Sequence, residues 1–160
     1  MASVVARELG QLLLARGEHV TAAESCTGGM ICAALTDIAG SSDWFERGFI
    51  VYSNLAKQEM LGVPEDLIAA SGAVSEGVVR ALAGNARQCA GADWAVAVSG
   101  VAGPSGGSAE KPVGTVWFAW SGPGVDEAER CLFAGDRASV RSQTVDHALA
   151  RLVELIKEQK

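Results

Sequence analysis

The segment Thr21-Ala-Ala-Glu-Ser-Cys-Thr-Gly-Gly29 contains residue types that suit nucleophilic catalysis. We predict an apolar strand that runs into a hydroxyl-rich turn backed by Gly28 and Gly29, and then a helix. Glycines let backbone N–H groups approach a ligand, and the first N–H groups of a helix have no partner within it. Such a turn can present Ser25 as the attacking group and supply donors, near Thr27 and Gly28, for the resulting oxyanion.

A serine hydroxyl needs a base to accept its proton at neutral pH. The chain has two histidines, His19 and His147, and neither has a carboxylate at a spacing typical of a catalytic triad. Lys57 lies one helical turn after Tyr52-Ser-Asn54. A lysine removed from water can lose its proton near neutrality, and the Tyr52 phenol can pass that proton or hold the amine. Spacing alone nevertheless favours the plainer alternative of a solvated surface lysine and an interior tyrosine.

For each of the two residues beside Ser25, Cys26 and Glu24, the sequence leaves two alternative roles. Cys26 is a rival nucleophile, because a thiolate at a helix N-terminus has a lowered pKa and attacks well. Adjacent side chains of an extended segment point in opposite directions, so a Ser25 that faces a pocket places Cys26 toward the core. Glu24 either contacts a cationic or hydrogen-bonding part of a substrate or stabilises the N-terminus of the next helix.

Residues 100 to 112 are rich in glycine and proline and predict a loop of about a dozen residues, a length typical of functional or disordered loops. Its backbone donors can surround a phosphate, with charge from Lys111, but the pattern is neither a Walker A motif nor GxGxxG. An ordinary surface loop is an equal alternative. Arg137 and Arg141 present two guanidinium groups at the start of the last helix, or form a solvated helix end with Asp136.

Hydrophobic periodicity and breaker residues predict the elements that position these side chains. The predicted helices cover residues 4–13 (ended by Gly17), 28–37, 55–61 (capped by Asn54), 64–69, 76–89 (capped by Ser75) and Val140 or Thr144 to the C-terminus. The predicted strands cover 19–23, 48–53, 92–99, 114–120 and 128–133, with a four-residue turn at 121–124. We therefore predict one α/β domain over residues 1–160, a mixed sheet flanked by helices in three layers. Ser25, Tyr52 and Ser99 then lie at the carboxyl ends of strands, where open sheets bind ligands.

Composition limits the function classes. A net charge of −6 and a pI near 4.9 argue against nucleic-acid binding but leave an anionic small molecule possible. No apolar run approaches the roughly 18 residues of a membrane span, and no signal-peptide pattern is present, so we expect a cytoplasmic protein. The four cysteines form no CxxC pair and the acidic residues are dispersed, which predicts reduced thiols and no metal site. Apolar positions on the last helix and Trp44-Phe45 predict a homodimer.

Eight segments together carry a family resemblance. They are Ala23-Glu-Ser-Cys-Thr-Gly-Gly29, Gly40-Ser-Ser, Trp44-Phe-Glu-Arg-Gly48, Tyr52-Ser-Asn54, Gly72-Ala-Val-Ser75, Ser99-Gly-Val-Ala-Gly-Pro104, Lys111-Pro-Val-Gly-Thr115 and Gly135-Asp-Arg137. In order and spacing, from about residue 5 to residue 155, the chain resembles the CinA C-terminal domain family. The stand-alone members of that family are nicotinamide-nucleotide amidohydrolases.

The resemblance implies hydrolysis of the carboxamide of nicotinamide mononucleotide to nicotinic acid mononucleotide and ammonia, in pyridine-nucleotide recycling. It implies no metal or organic cofactor, and it gives catalytic roles to Ser25, Tyr52 and Lys57. The substrate contacts that we expect are Glu24, Thr27, Gly28, Gly29, Ser99, Gly100, Gly103, Gly106, Gly107, Thr115, Arg137 and Arg141. The chain departs from many relatives in having Ser105 where they carry an acid. The alternative function is a regulatory module that binds a nucleotide without chemistry.

Overall fold

Five strands form one mixed sheet in the computed structural model, which describes residues 1–159. The strands are β1 (Val20–Glu24), β2 (Phe45–Ile50), β3 (Trp94–Gly100), β4 (Thr115–Gly122) and β5 (Val125–Leu132). Their order across the sheet is β2-β1-β3-β4-β5. β1 is parallel to both of its neighbours, whereas β4 is antiparallel to β3 and to β5. The ends of β1, β2 and β3 therefore point to the same edge of the sheet.

Six α-helices cover the two faces of this sheet. They are α1 (Ala2–Arg16), α2 (Met30–Thr36), α3 (Asn54–Leu61), α4 (Glu65–Ser71), α5 (Glu76–Ala90) and α6 (Arg137–Glu158), with a 3-10 turn at Ser41–Asp43. One core cluster joins α1, α2 and α6 to one face, and a second joins α3, α4 and α5 to the other. The predicted mixed sheet in three α/β/α layers is confirmed.

The two faces of the sheet differ in side-chain size. On the α6 side, Trp94, Phe118 and Trp120 are fully buried and fill a thick layer. On the α5 side, the inward positions of the central strands include Ala97 and Ala119. Small residues let α5 pack close across the sheet, and the aromatic residues supply much of the buried apolar area.

The structure corrects two strand predictions. β2 begins at Phe45 and ends at Ile50, earlier than the predicted 48–53, because its pairing with β1 sets the register and Val51 is the last residue whose N–H donates to β1, to Glu24 O at 2.9 Å. The β4–β5 ladder continues to the Gly122–Val125 pair, so the hairpin turn is Pro123-Gly124 and not four residues long. In both cases the hydrogen-bonded pairing between strands sets where the strand ends, and residue composition alone does not predict that boundary.

Two helix starts also differ from the prediction. Ser53, not Asn54, caps α3: its Oγ accepts a hydrogen bond from Ala56 N at 3.0 Å. α6 begins at Arg137, earlier than the predicted Val140 or Thr144, because the Asp136 carboxylate accepts from Ser139 N at 2.9 Å. These caps fix the first turns that carry Lys57 and the two arginines.

The apolar positions from which a homodimer was expected are mostly buried within the protein. Trp44 is 3% exposed, and its ring packs against Gly10, while the apolar residues of α6 face the core. The large apolar side chains that are exposed are Met1, Val4, Leu14, Ile50, Tyr52, Leu55, Met60 and Leu132. Within residues 1–159, none of the helices combines the length and apolar character that crossing a membrane requires.

Candidate active site

Ser25 lies immediately beyond β1, between the ends of two neighbouring strands. Its N–H donates to Val98 O at 3.2 Å and continues the pairing with β3, while Val51 N donates to the preceding residue, Glu24, on the β2 side. Ser25 is therefore held on both sides by the sheet at the edge where parallel strands end. Its side chain is 7% exposed and lines a cleft.

Two glycines turn the chain from β1 into α2. Gly28 has φ 56° and Gly29 has φ 109°, and consecutive positive values of this kind are strained for any residue that carries a Cβ. The turn is closed by a hydrogen bond from Gly28 N to Ser25 O at 3.1 Å. The glycines thus serve the conformation of the turn that presents Ser25.

The Glu24 carboxylate stabilises this turn and the start of α2. It is fully buried, and it accepts hydrogen bonds from Thr27 Oγ1 at 2.6 Å, Gly29 N at 3.2 Å, Ile31 N at 2.8 Å and Cys32 N at 2.9 Å. A carboxylate that accepts the first N–H groups of a helix has the geometry of the helix-stabilising alternative. Neither Glu24 nor Thr27 lines the cleft, so their predicted contacts with substrate remain predictions.

The backbone donors around Ser25 differ from those predicted. The N–H groups of Gly28 and Gly29 are engaged in the turn, with Ser25 O and Glu24 Oε1 respectively. Within residues 1–159, the N–H groups of Cys26 and Thr27 donate to no protein acceptor. Cys26 also lines the cleft, whereas Gly28 does not. The N–H of Gly28 is thus engaged within the turn, the N–H groups of Cys26 and Thr27 remain free, and the oxyanion donor stays a prediction.

Lys57 is the direct partner of Ser25. Its Nζ lies 3.0 Å from Ser25 Oγ, 2.9 Å from Val51 O and 3.0 Å from Tyr52 O. The side chain is 1% exposed and forms no ion pair with any carboxylate of the described chain. Removal from water disfavours the charged amine, so burial lowers the pKa of Lys57 below its ordinary value.

The three contacts of the Lys57 amine provide hydrogen-bond partners for both its neutral and its charged form. A neutral amine has two N–H donors, which suit the carbonyls of Val51 and Tyr52, and a lone pair, which can accept the Ser25 hydroxyl proton. An ammonium donates to all three oxygens instead, and Ser25 Oγ then has Tyr52 O, at 3.4 Å, as an acceptor. Loss of one proton reverses the Lys57–Ser25 hydrogen bond and makes Lys57 a base toward Ser25.

Tyr52 contributes its backbone to this pair. Its carbonyl contacts Lys57 and Ser25, whereas its phenol is directed to the mouth of the cleft, with the hydroxyl 3.4 Å from Arg137 NH2. The side chain is 61% exposed. The plainer alternative of a solvated lysine and an interior tyrosine is thus wrong on both counts. The predicted phenol relay also differs from this geometry, because the amine reaches the serine directly.

Cys26 is poorly suited to be the nucleophile. Its side chain is 6% exposed and belongs to the core cluster under α1, α2 and α6, although it also borders the cleft. Burial, the largest influence, raises the pKa of the Cys26 thiol to about 11. A thiol in that state supplies very little thiolate at neutral pH.

The two arginines of α6 have different positions. Arg137 lines the cleft, and its NH1 donates to Gly103 O at 2.9 Å. Arg141 does not line it; its Nε donates to Cys26 O at 3.0 Å and its NH2 to Thr27 O at 3.2 Å. Arg137 is therefore available to a ligand, and Arg141 holds the turn that follows Ser25.

The cleft has a volume of about 370 Å³ and its charged lining is basic. Of the predicted site residues, it brings together Ser25, Tyr52, Lys57, Ser99, Gly100, Gly103, Gly106, Gly107 and Arg137. It does not bring in Glu24, Thr27, Gly28, Gly29, Thr115 or Arg141. The charged side chains that line it are Lys57 and Arg137, a combination that favours an anionic ligand.

The glycine loop borders the cleft with free donors. In the described structure, the N–H groups of Ser105, Gly106 and Gly107 donate to no protein acceptor. Lys111, in contrast, donates to Ser71 O and does not line the cleft. Thr115 is fully buried and donates to Pro112 O at 2.6 Å, so its hydroxyl supports the base of the loop.

Sequence reasoning missed several lining residues. These are Cys26 in its backbone role, Asn54, Ala73, Val74, Val101, Ala102 and Ser105. Ala73 and Val74 lie in the segment between α4 and α5, within Gly72-Ala-Val-Ser75, one of the segments that carry the family resemblance. Apolar residues in a loop carry no chemical signal of their own, so only the tertiary structure places them beside Ser25.

Histidine and metal chemistry lie outside this cleft. His19 is exposed and His147 pairs with Glu129, so neither histidine lines the cleft. In the described part of the chain, the group of three potential metal ligands is Glu129, Cys131 and His147, on β5 and α6. The base available to Ser25 is Lys57.

The fold and the site together define an α/β protein with a buried serine–lysine pair at the carboxyl edge of a mixed sheet. The chain belongs to the CinA C-terminal domain family, whose model matches residues 2–156. The resemblance seen in the sequence is thereby confirmed.

Individual relatives cover nearly the whole chain. Nicotinamide-nucleotide amidohydrolase PncC of Enterobacter agglomerans is 56% identical over 152 residues, which cover 94% of this chain and 93% of the relative. The protein of the same name from Escherichia coli K12 is 55% identical over 151 residues, which cover 92% and 90%. A solved structure of Klebsiella pneumoniae competence damage-inducible protein A matches with a TM-score of 0.96 and 41% identity over 99% of both chains.

Proposed function

We propose that this protein hydrolyses the carboxamide of nicotinamide mononucleotide to nicotinic acid mononucleotide and ammonia, a step in pyridine-nucleotide recycling. The observation that carries the proposal is the 3.0 Å contact between the buried Lys57 amine and Ser25 Oγ. The names of relatives that are 55–56% identical support the substrate. A protein that only bound a nucleotide would not need an uncompensated buried lysine against a serine.

The first step is attack of Ser25 Oγ on the amide carbon. Neutral Lys57 accepts the hydroxyl proton through the contact described above, and the carbonyls of Val51 and Tyr52 keep its Nζ in place. The negative charge then develops on the former carbonyl oxygen. The unpartnered N–H of Cys26 is the proposed donor to it, and one such donor contributes about 3 kcal/mol in comparable hydrolases.

The second step is departure of ammonia. The Lys57 ammonium returns its proton to the leaving nitrogen as the C–N bond breaks, which leaves an ester on Ser25. Water then attacks the ester carbon while Lys57 accepts its proton, and the Lys57 ammonium returns that proton to Ser25 Oγ as the ester C–O bond breaks. The products are the free carboxylic acid and the Ser25 hydroxyl, so one water is consumed for each amide cleaved.

The nucleotide lies along the cleft from Ser25 toward the glycine loop in this proposal. Its phosphate contacts Arg137 and the free N–H groups at 105–107, which are the basic and donor groups of the lining. Ser99 is 1% exposed at the end of β3, and its hydroxyl is a polar contact for the carboxamide end. The exposed Tyr52 ring borders the entrance beside Arg137.

Ammonia release with nicotinamide mononucleotide as substrate tests this function. We expect release by the unmodified protein, a fall of about 10³-fold or more for Lys57→Met, and no change for Lys157→Met, which alters an exposed lysine paired with Glu8. Absence of ammonia together with tight nucleotide binding would establish the regulatory alternative instead. A Lys57→Met protein of unchanged rate would refute the serine–lysine mechanism.

No metal ion enters the proposed steps, so a chelator should leave ammonia release unchanged at a temperature where the protein stays folded. We also propose a cytoplasmic location. The four cysteines are free thiols in the structure, which fits a reducing compartment.

A further inference from the structure

Three side chains with metal-binding atoms meet where β5 contacts α6. Glu129 and Cys131 are two residues apart on β5 and therefore share one face of the strand, and His147 faces them from α6. His147 Nε2 lies 3.2 Å from Glu129 Oε2, and Cys131 Sγ lies 3.6 Å from Glu129 Oε1. The potential ligand atoms all lie within 4.8 Å of one another.

These separations are close to those around a tetrahedral zinc ion. Zinc–ligand distances of about 2.0 to 2.3 Å place neighbouring ligand atoms roughly 3.3–3.6 Å apart. His147 Nε2 is already near that range from Glu129 Oε2, and Cys131 Sγ is similarly close to the other oxygen of the same carboxylate, Oε1. A rotation of the Glu129 carboxylate that brings one oxygen between the two partners, with a contraction of separations that are all below 4.8 Å, completes three corners of a tetrahedron. All three residues are half-buried, so water can reach the fourth.

The histidine is held in place by aromatic packing. Its ring centroid lies 4.7 Å from that of Phe118, 6.0 Å from Trp120 and 6.3 Å from Phe133, in edge-on arrangements. Phe118 and Trp120 are fully buried, so these contacts restrict the imidazole. A ligand whose orientation is fixed beforehand loses less entropy when it binds a metal.

The local charge also favours a cation. Arg151, the arginine one turn beyond His147, is engaged with Glu127 at 2.8 Å and with Glu154 at 3.0 Å. In the described chain, the partner of Glu129 is thus a histidine and not a permanent cation.

We propose that Glu129, Cys131 and His147 bind one divalent cation of the zinc class, with water as the fourth ligand. The thiol proton is released to solvent when the metal–sulfur bond forms. Thiolate and imidazole ligands select zinc-like ions over magnesium or calcium. The ion joins the edge strand β5 to α6, and it supports the structure without taking part in the cleft chemistry.

Cobalt(II) titration of the full-length protein, followed by absorption, tests the site directly. We expect one equivalent of cobalt to give visible bands typical of tetrahedral coordination and a thiolate charge-transfer band in the near ultraviolet. Cys131→Ser should lose the charge-transfer band, and His147→Ala should weaken binding at least tenfold. Matched controls are Cys89→Ser and His19→Ala, because both residues are exposed and outside the cluster.

Zinc binding should also raise the thermal midpoint. At a free zinc concentration about 100 times the dissociation constant, a rise of about 5–10 °C is expected for a protein of this size, and Glu129→Gln should reduce it. Ammonia release below the unfolding range should be the same with and without zinc, which separates this site from the proposed function. Absence of a thiolate band, or a band that persists in Cys131→Ser, would overturn the proposal. If Cys131→Ser does not fold, equal zinc stabilisation of Glu129→Gln, His147→Ala and the unmodified protein would overturn it.

Discussion

At the residue scale, the central feature is a lysine removed from water without a counter-ion. Lys57 is held by two backbone carbonyls and the Ser25 hydroxyl, and within residues 1–159 no carboxylate forms an ion pair with it. An amine in this environment gives up its proton more easily than a free lysine. Burial therefore supports the proposed role of Lys57 as the base, and neither histidine lines the cleft.

The dependence of the rate on pH should report this amine. Because only neutral Lys57 can accept the Ser25 proton in this proposal, kcat/KM should rise with pH through an apparent pKa below that of free lysine, about 10.4. Since the unfolded chain binds the proton more tightly, the free energy of unfolding should rise with pH between those two values. Initial rates and denaturant unfolding across pH measure both effects. If kcat/KM rose with pH only near the pKa of free lysine, that result would contradict the mechanism.

The sequence predicted the members of this pair better than their surroundings. Ser25 and Lys57 follow from a nucleophile turn, a nearby base and the family resemblance. The burial of Lys57 could not be predicted, because its amine is covered by residues distant in the sequence or outside α3, at the ends of β1 and β2. The free N–H at Cys26 was missed for a related reason: hydrogen bonding within the turn decides which donors remain.

At the scale of elements, two strand ends and the first turn of α6 assemble the site. Capped helix starts at Ser53 and Asp136 aim Lys57 and Arg137 toward the cleft. The sequence prediction placed the first cap at Asn54 and began the last helix at Val140 or Thr144, since several polar residues in each segment have similar capping preference. The strands and helices themselves were predicted because their apolar periodicity is clear, whereas β2 and the hairpin turn depended on pairing.

The two arginines of α6 should separate binding from positioning. We expect Arg137→Ala to raise KM for the nucleotide by about 10-fold or more, because it removes a charged contact from the cleft. Arg141→Ala should instead lower kcat with KM nearly unchanged, because it frees the carbonyls of Cys26 and Thr27 beside the nucleophile. Steady-state kinetics of both variants measure this. If Arg141→Ala raised KM and Arg137→Ala did not, the roles assigned to the two arginines would be reversed.

At the scale of the whole molecule, an acidic chain presents a small basic cleft. The net charge of −6 is spread over the surface, while Lys57 and Arg137 are concentrated in the cleft. This contrast suits an anionic small molecule. The cleft is therefore basic although the chain as a whole is acidic.

We expect the protein to form a homodimer, but the residues that support this expectation differ from those that the sequence suggested. Ile50, Tyr52, Leu55 and Met60 are exposed within one short stretch of chain at the end of β2 and in α3. Exposed apolar residues concentrated in this way are typical of contact surfaces. Sedimentation velocity should give twice the chain mass, and Leu55→Glu should shift it toward the monomer, with Leu132→Glu as the control. A monomer at all concentrations would contradict this expectation.

The central claim is that Ser25, and not its neighbour Cys26, attacks the amide. Ammonia release under single-turnover conditions, with enzyme in excess of nicotinamide mononucleotide, compares the two residues directly. With folding checked by circular dichroism, Cys26→Ala should release ammonia within about threefold of the unmodified rate, and Ser25→Ala should be slower by about 10³-fold or more. Loss of release in Cys26→Ala with retention in Ser25→Ala would contradict the account.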